Sequence, residues 1–289
     1  LQEGICEAGA IASFIAAGTA YATFAVPTIP FYIFYSMFGF QRVGDMIWAS
    51  ADMMARGFLL GGTAGRTTLN GEGLQHQDGH SPILASTVPS VRTYDPAFAW
   101  ELAILVCFGI QRMFVEDHDE LFYLMMYNES LPMPARPDHV DLDDGVVRGG
   151  YLLEPAAGDG PRVNLLGSGT ILFEVMQAAN TLRDEGYAVA VYSITSYVEL
   201  ARDAERAEQE DAVDTAWLDT IFPETDVPTV AATDYVRALP RMIASWINGP
   251  FTALGTDGFG KSERRSDLRA HFKVDAASIA DAARRLASS

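Results

Sequence analysis

Residues 162–196, RVNLLGSGTILFEVMQAANTLRDEGYAVAVYSITS, decide the fold. RVNLLG is a short apolar run that stops at a Gly-Ser-Gly turn, as a strand does. ILFEVMQAANTLRDEG then carries its apolar residues at helical spacing and ends at Gly186, a helix stop. AVAVYSITS is a second strand. Strand, helix and strand in this order mean a parallel α/β sheet. Downstream, TVAATDY (229–235) and FTALGTDGFG (251–260) read as further strand-turn units, 199–214 as a charged, exposed helix, and Asp275–Ala287 as a closing helix.

Upstream, LPMPARPDHVDLDDGVVRGG (131–150) shifts to Pro, Asp and Gly and reads as a linker. Before it the alternation is already present. Residues 4–22 are Ala-rich and apolar at helical spacing, which predicts a nearly all-buried helix. TIPFYIFYS (28–36) predicts a buried strand and 37–56 a helix; FLLGGTAG (58–65) is a strand entering a Gly/Thr turn. Pro96–Gly109 reads as a helix and Glu120–Tyr127 as a strand. The segment Thr67–Ser81, TTLNGEGLQHQDGHS, is polar and Gly-rich, and nothing in it is expected in the core. The expected architecture is two three-layer α/β domains, 1–133 and 150–289, with a linker at 134–149. The first should hold a parallel sheet, the second an open mixed one.

With 289 residues, 49% of them apolar, the chain can bury two cores and is not disordered. Twenty Lys+Arg against 38 Asp+Glu give a net charge of −18, which opposes nucleic acid and anionic lipid as partners. That excess reads as a solvated surface, with a halophilic or solubility adaptation as the alternative. Two cysteines, Cys6 and Cys107, make no framework or metal spacing and suggest a reducing, cytoplasmic setting. Apolar residues 11–35 are interrupted by Ser13, Thr19, Thr23, Pro27 and Pro30, which favours core over a membrane span. No basic region precedes an apolar one at the start, so no signal peptide is expected. A chain that opens on Leu1 and passes at once into a helical pattern reads as a piece of a longer one.

Three features carry chemistry. Glu7 is an acid in an apolar helix; it either finds a specific partner or stays protonated, unless it is simply a helix-end carboxylate reaching solvent. His76 and His80 stand four apart in GEGLQHQDGH (71–80), where three glycines oppose a helix and hence a metal pair; no metal ligand is assigned. An imidazole offered to a substrate fits better. Of the rings Phe31, Tyr32, Phe34, Tyr35, Phe38 and Phe40, most belong to a core, and one is available to stack on a planar ligand. Gly167-Ser-Gly169 and the glycines of 255–260 are incomplete phosphate-loop patterns and read as turns.

Together these stretches resemble a family. GICEAGA (4–10) is similar to the Gly-Ile-x-Glu signature of the pyrimidine-binding domain of thiamine-diphosphate enzymes of the transketolase superfamily. GTAGRTTLNGEGLQHQDGHS (62–81) closely resembles the homodimeric type of pyruvate dehydrogenase E1, and YDPAFAWE, VNLLGSGTI, ATDY and LGTDGFGKSE continue the likeness in order. It covers a pyrimidine-binding domain followed by a transketolase C-terminal-like domain.

The resemblance implies roles, residue by residue. Glu7 aligns with the carboxylate that meets N1′ of the cofactor's aminopyrimidine and so helps remove the thiazolium C2 proton. Phe38 aligns with the ring that stacks on the pyrimidine, with Tyr35 nearby. His76 aligns with the histidine that meets the substrate carboxylate, while Glu72 and His80 share its loop. Arg42 and Asp45 receive no role. The family's Gly-Asp-Gly…Asn motif for Mg²⁺ and diphosphate lies in a separate N-terminal domain; Gly158-Asp-Gly160 here has Asn164 too close to serve. The implied cofactors are thiamine diphosphate and Mg²⁺, and the implied partners a second subunit with a diphosphate-binding domain and a lipoyl-bearing E2 acyltransferase. The implied reaction is decarboxylation of pyruvate with reductive acetylation of the lipoyl group. A transketolase is the alternative, but it needs basic groups to grip sugar phosphates and the loop offers few. A non-catalytic regulatory or assembly paralogue is the second, opposed by the presence of Glu7, Phe38 and His76.

Overall fold

The structure, a computed structural model, describes residues 3–138, 142–209 and 215–288. In chain order come α1 (Glu7–Gly18), α2 (Ala20–Phe24), β1 (Phe31–Tyr35), a 3-10 turn at Ser36–Phe38, α3 (Phe40–Asp52), β2 (Gly57–Gly62), α4 (Ser81–Ser86), β3 (Val91–Tyr94), α5 (Ala99–Ile110) and β4 (Leu121–Met125). These four strands make one sheet, all parallel, in the order β1-β2-β4-β3.

The second half holds α6 (Leu142–Arg148), β5 (Tyr151–Glu154), β6 (Arg162–Gly167), α7 (Ile171–Asp184), β7 (Ala188–Ser193), α8 (Tyr197–Ala207), α9 (Trp217–Ile221), β8 (Thr229–Ala232), α10 (Ala238–Arg241), β9 (Phe251–Leu254), α11 (Arg265–Phe272) and α12 (Ala276–Ala287). Its sheet runs β5-β7-β6-β8-β9, with β5 antiparallel to β7 and the other pairs parallel. The expected pair of α/β units, one parallel and one mixed, is present.

Alternation along the strands shows both faces of the second sheet to be covered. Val163, Leu165, Val189, Val191, Val230 and Ala232 pack with α7 and α12. Leu166, Ala190, Tyr192 and Ala231 point the other way, toward Leu218, Phe222 and Leu239. In the first sheet Leu121, Tyr123 and Met125 serve one core, Phe122 and Leu124 another. The edge strand β1 departs from this. Tyr32 and Phe34 are buried, while Phe31 is 47%, Ile33 70% and Tyr35 49% exposed.

Several expectations change. The strand over 28–36 is half-buried, because it lies at the sheet edge: on its outer face Ile33 is open, while Phe31 stacks on Phe58 and Tyr35 meets the Phe38 and His76 rings. The first helix is not nearly all-buried: it breaks at Thr19, and only Ile11, Phe14 and Gly18 of α1 are buried. The helix read as exposed at 199–214 instead begins at Tyr197 and buries Tyr197, Val198, Leu200, Ala201 and Ala204, with Glu199 and Asp203 alongside; residues 210–214 of that reading lie outside the described ones. Its two buried acids are neutralised by Arg92 and Arg206. Within the stretch read as linker, Leu142–Arg148 is helical, and residues 139–141 lie outside the described ones. Strands β3 and β5 had no counterpart in the sequence reading.

The largest change concerns Thr67–Ser81. Thr67, Thr68, Leu69, Gln77, Asp78 and Ser81 are all buried. Their burial is possible because the second half supplies partners. The Asp234 carboxylate, just after β8, accepts the amide and hydroxyl of Thr67 at 2.8 and 2.6 Å and those of Thr68 at 3.0 and 2.7 Å. Burial pushes the Asp234 carboxyl up, and those four bonds oppose the rise. Gln77 donates to the Leu69 carbonyl at 2.7 Å and accepts the Lys261 amide at 2.7 Å. The loop is a polar core between the two halves.

Candidate active site

Parallel strands place their connecting loops at one edge of the sheet, where ligands bind. The C-terminal end of β1 leads into the turn Ser36–Phe38 and α3; the end of β2 leads into the Thr67–Ser81 loop. Between them and the start of α1 is a cleft of 570 Å³ whose lining includes Glu7, Tyr35, Phe38, Arg42 and His76. Four of the six residues singled out from the sequence, Glu7, Tyr35, Phe38 and His76, therefore share one cavity. Glu72 and His80 do not line it.

Glu7 is the first residue of α1, where the helix dipole favours a carboxylate. Its side chain is 21% exposed and is met by the Arg42 guanidinium at 2.9 Å. The guanidinium also lies 4.1 Å from the centre of the Phe38 ring. Arg42 thus ties the acid to the Phe38 ring, a role the sequence reading did not assign. The available signal was its spacing, four residues after Phe38 and one turn along. Beneath the cleft, Tyr32 donates to the Glu7 carbonyl at 3.3 Å, and burial, helped by Glu7 and Cys6, pushes its phenol up to about 12.

Phe38, Tyr35 and His76 form an edge-to-face cluster. His76 is 5.2 Å from Phe38 and 5.8 Å from Tyr35, and the two aromatic rings are 6.0 Å apart. Such tilted arrangements set ring directions. His76 Nδ1 is shielded from solvent and, among the described residues, has no hydrogen-bond partner; the exposed Glu72 carboxylate lies 3.9 Å from it. His80 serves a different purpose. It is the cap residue of α4, its ring nitrogens face Gln41 at 3.1 Å and Arg66 at 3.5 Å, and its amide donates to Asp78 at 3.0 Å.

Behind the loop lies a buried polar group that spans the two halves. Tyr127 donates a short hydrogen bond to Asp95 and approaches Tyr235 at 3.3 Å. Burial pushes the Asp95 carboxyl up to about 7. The Gly167-Ser-Gly169 turn packs directly on this group: a Cβ at Gly169 would stand 2.2 Å from the Tyr127 hydroxyl. The turn reading of that motif acquires a reason, since only glycine admits the approach.

Comparison with known proteins shows which families the two halves match. Residues 1–134 match the pyruvate dehydrogenase E1 component middle domain, and residues 149–275 the transketolase-like C-terminal domain. The pyruvate dehydrogenase E1 component of Corynebacterium glutamicum is 51% identical, the alignment covering 96% of this chain and 31% of that protein. That of Escherichia coli K12 is 47% identical, over 98% of this chain and 32% of that protein. The chain therefore spans about a third of the length of these relatives. Among solved structures, transketolase from Campylobacter jejuni superposes with a TM-score of 0.69 at 18% identity, over 92% of this chain and 37% of that one. A split-gene transketolase, an inactive beta4 tetramer, gives 0.68 at 16% identity, over 99% of this chain and 83% of that one. At such identities the structures share the fold alone. Sequence and fold together place this chain in the family of the pyruvate dehydrogenase E1 component, whose middle and transketolase-like C-terminal domains it carries.

Proposed function

We propose that this chain is part of a cytoplasmic pyruvate dehydrogenase E1 component. The enzyme decarboxylates pyruvate with thiamine diphosphate and passes the two-carbon unit to the lipoyl group of an E2 acyltransferase. The observation that carries the reading is the convergence of Glu7, Tyr35, Phe38 and His76 on one cleft. The cleft suits an aminopyrimidine, a flat ring with a basic nitrogen: it offers aromatic edges and faces, one carboxylate and a mostly apolar wall.

When bound, thiamine diphosphate supplies the carbon nucleophile and the electron sink for loss of CO₂. Glu7 holds and exchanges a proton at the pyrimidine nitrogen. Arg42 fixes the direction of that carboxylate through the 2.9 Å pair. Phe38 stacks on the ring and excludes water from it. His76 faces the substrate side and donates to the pyruvate carboxylate. Mg²⁺ belongs with the diphosphate, on residues of a diphosphate-binding domain; among the described residues no group of three His, Cys, Asp or Glu is arranged to hold a metal. The half-exposed outer face of β1 and the exposed Ile5 and Phe24 are the surface a second subunit covers.

The test is Glu7→Gln in the enzyme that carries this chain. The amide keeps the shape but cannot exchange the proton, so turnover of pyruvate should fall about 10²-fold or more. Thiamine diphosphate should still bind by titration calorimetry, more weakly. Unchanged turnover removes Glu7 from the reaction.

A further inference from the structure

Asp78 lies two residues beyond His76, fully buried, and the assigned chemistry makes no use of it. Its carboxylate joins two elements. One oxygen accepts the amides of His80 and Ser81, both at 3.0 Å, where the loop enters α4. The other accepts a short hydrogen bond from the Ser36 hydroxyl, at the first residue of the turn that carries Phe38. Ser36 is itself fully buried and also contacts the Tyr123 hydroxyl at 3.2 Å, on the central strand β4. A Cβ at Gly61 would stand 2.8 Å from that hydroxyl and 3.2 Å from the serine oxygen, so the strand leaves room for this contact. A second strand of the same network runs from Gln41 to Ser81 at 2.9 Å and from Ser81 to the Ser36 carbonyl at 3.4 Å. The charged groups that face Asp78 are Arg66, which lies within Coulombic reach, and the His80 ring at 3.9 Å.

We infer that Asp78 is a positioning residue: through Ser36 it fixes the His76 loop against the Phe38 turn and so sets the spacing of substrate-facing and cofactor-facing groups across the cleft. The two sides of the cleft come from different β–α connections, and among the described residues Asp78 to Ser36 is a direct side-chain link between the loop and the turn, with both groups dry. A buried charge-assisted hydrogen bond holds position far better than an exposed one. Neither Asp78 nor Ser36 lines the cleft, so neither touches substrate. The inference rests on the assignment of His76 to the substrate side.

The experiment is a double-mutant cycle with a structural readout beside it. In the enzyme that carries this chain, Asp78→Ala should lower kcat/KM for pyruvate on the order of 10²-fold, the usual effect of about 1 Å of misplacement. Thiamine diphosphate affinity should change less than about threefold, since Glu7 and Phe38 stay in place. Added to His76→Ala, the same substitution should cost little more, because a positioning residue has nothing left to position. Asp78→Asn keeps an oxygen for the two amides and an NH₂ for Ser36, and should restore kcat/KM to within a few-fold. Ser36→Ala, a smaller lesion that still folds if Asp78→Ala does not, should show the same split. Hydrogen exchange should rise at the loop amides 76–81 in Asp78→Ala and Ser36→Ala. Losses that add to those of His76→Ala, or loop exchange unchanged in both variants, overturn the inference. A silent His76→Ala instead sinks the functional reading of that histidine, and the exchange measurement still decides the link.

Discussion

The Asp95 carboxyl accepts a short hydrogen bond from Tyr127, and burial pushes it up to about 7 against the lowering pull of Tyr127 and Ser168. An unfolded aspartate titrates near 3.9. The folded state therefore holds a proton that the unfolded chain has lost. Whatever stability this gives is complete below about pH 4 and declines as pH rises toward 7. Asp95→Asn carries no proton to lose. Its melting temperature relative to the wild type should rise between pH 5 and pH 8; a pH-independent difference would show Asp95 to be ionised throughout. His76→Ala makes the contrasting case. Its ring meets the edges of Tyr35 and Phe38 at the cleft and holds up no core, so stability should change within about 1 kcal/mol. If His76 meets the substrate carboxylate, kcat/KM should fall about 10²–10³-fold, as measured by steady-state kinetics beside a melting curve. That Glu7, Phe38 and His76 would share one cleft was legible through the family resemblance of the contiguous stretches that carry them. The roles of Arg42, Asp78 and Asp234 were not, because each acquires meaning from partners that only the folded chain sets beside it.

At the scale of elements, the loop Thr67–Ser81 shows where pattern reading stops. Polarity marks it as surface, yet its hydroxyls and amides are buried because one carboxylate receives four of them. Removing that acceptor leaves the two amides and the Thr67 hydroxyl dry, at about 1–3 kcal/mol each when nothing replaces it, while the Thr68 hydroxyl keeps Thr170 at 2.7 Å. Asp234→Ala should thus destabilise the chain by about 4 kcal/mol or more in urea unfolding, and Asp234→Asn by clearly less. Equal effects would mean that water reaches the donors. Strand β3 escaped notice for a related reason. Its VRTY run has an arginine at its centre, and Arg92 is tolerated there because Glu120 and Glu199 meet it at 3.0 and 2.7 Å. The helices with glycine stops and the runs of β-branched residues were legible, since those signals are local.

The molecule as a whole presents an apolar strip made of Ile5, Phe31, Ile33 and Tyr35. Burying such a strip contributes roughly 25 cal/mol per Å². In the enzyme that carries this chain, Ile33→Asp should weaken association of subunits, seen in sedimentation velocity as slower-moving species at micromolar concentration; an unchanged profile would place that face outside the interface. The tie between the halves also has a consequence in time. Thr67 and Asp234 are 167 residues apart in sequence. A ribosome adding about 5–20 residues per second needs roughly 10–30 s to cross that gap. By then the pairings β1-β2-β4-β3 are all available, since each uses residues before 126. Thr67 and Thr68 must wait in water until Asp234 emerges, so the segment bearing the histidine is among the last parts of the nascent chain to set. A half-made chain has every strand of the first sheet to pair but lacks the carboxylate that sets the loop beside the cleft.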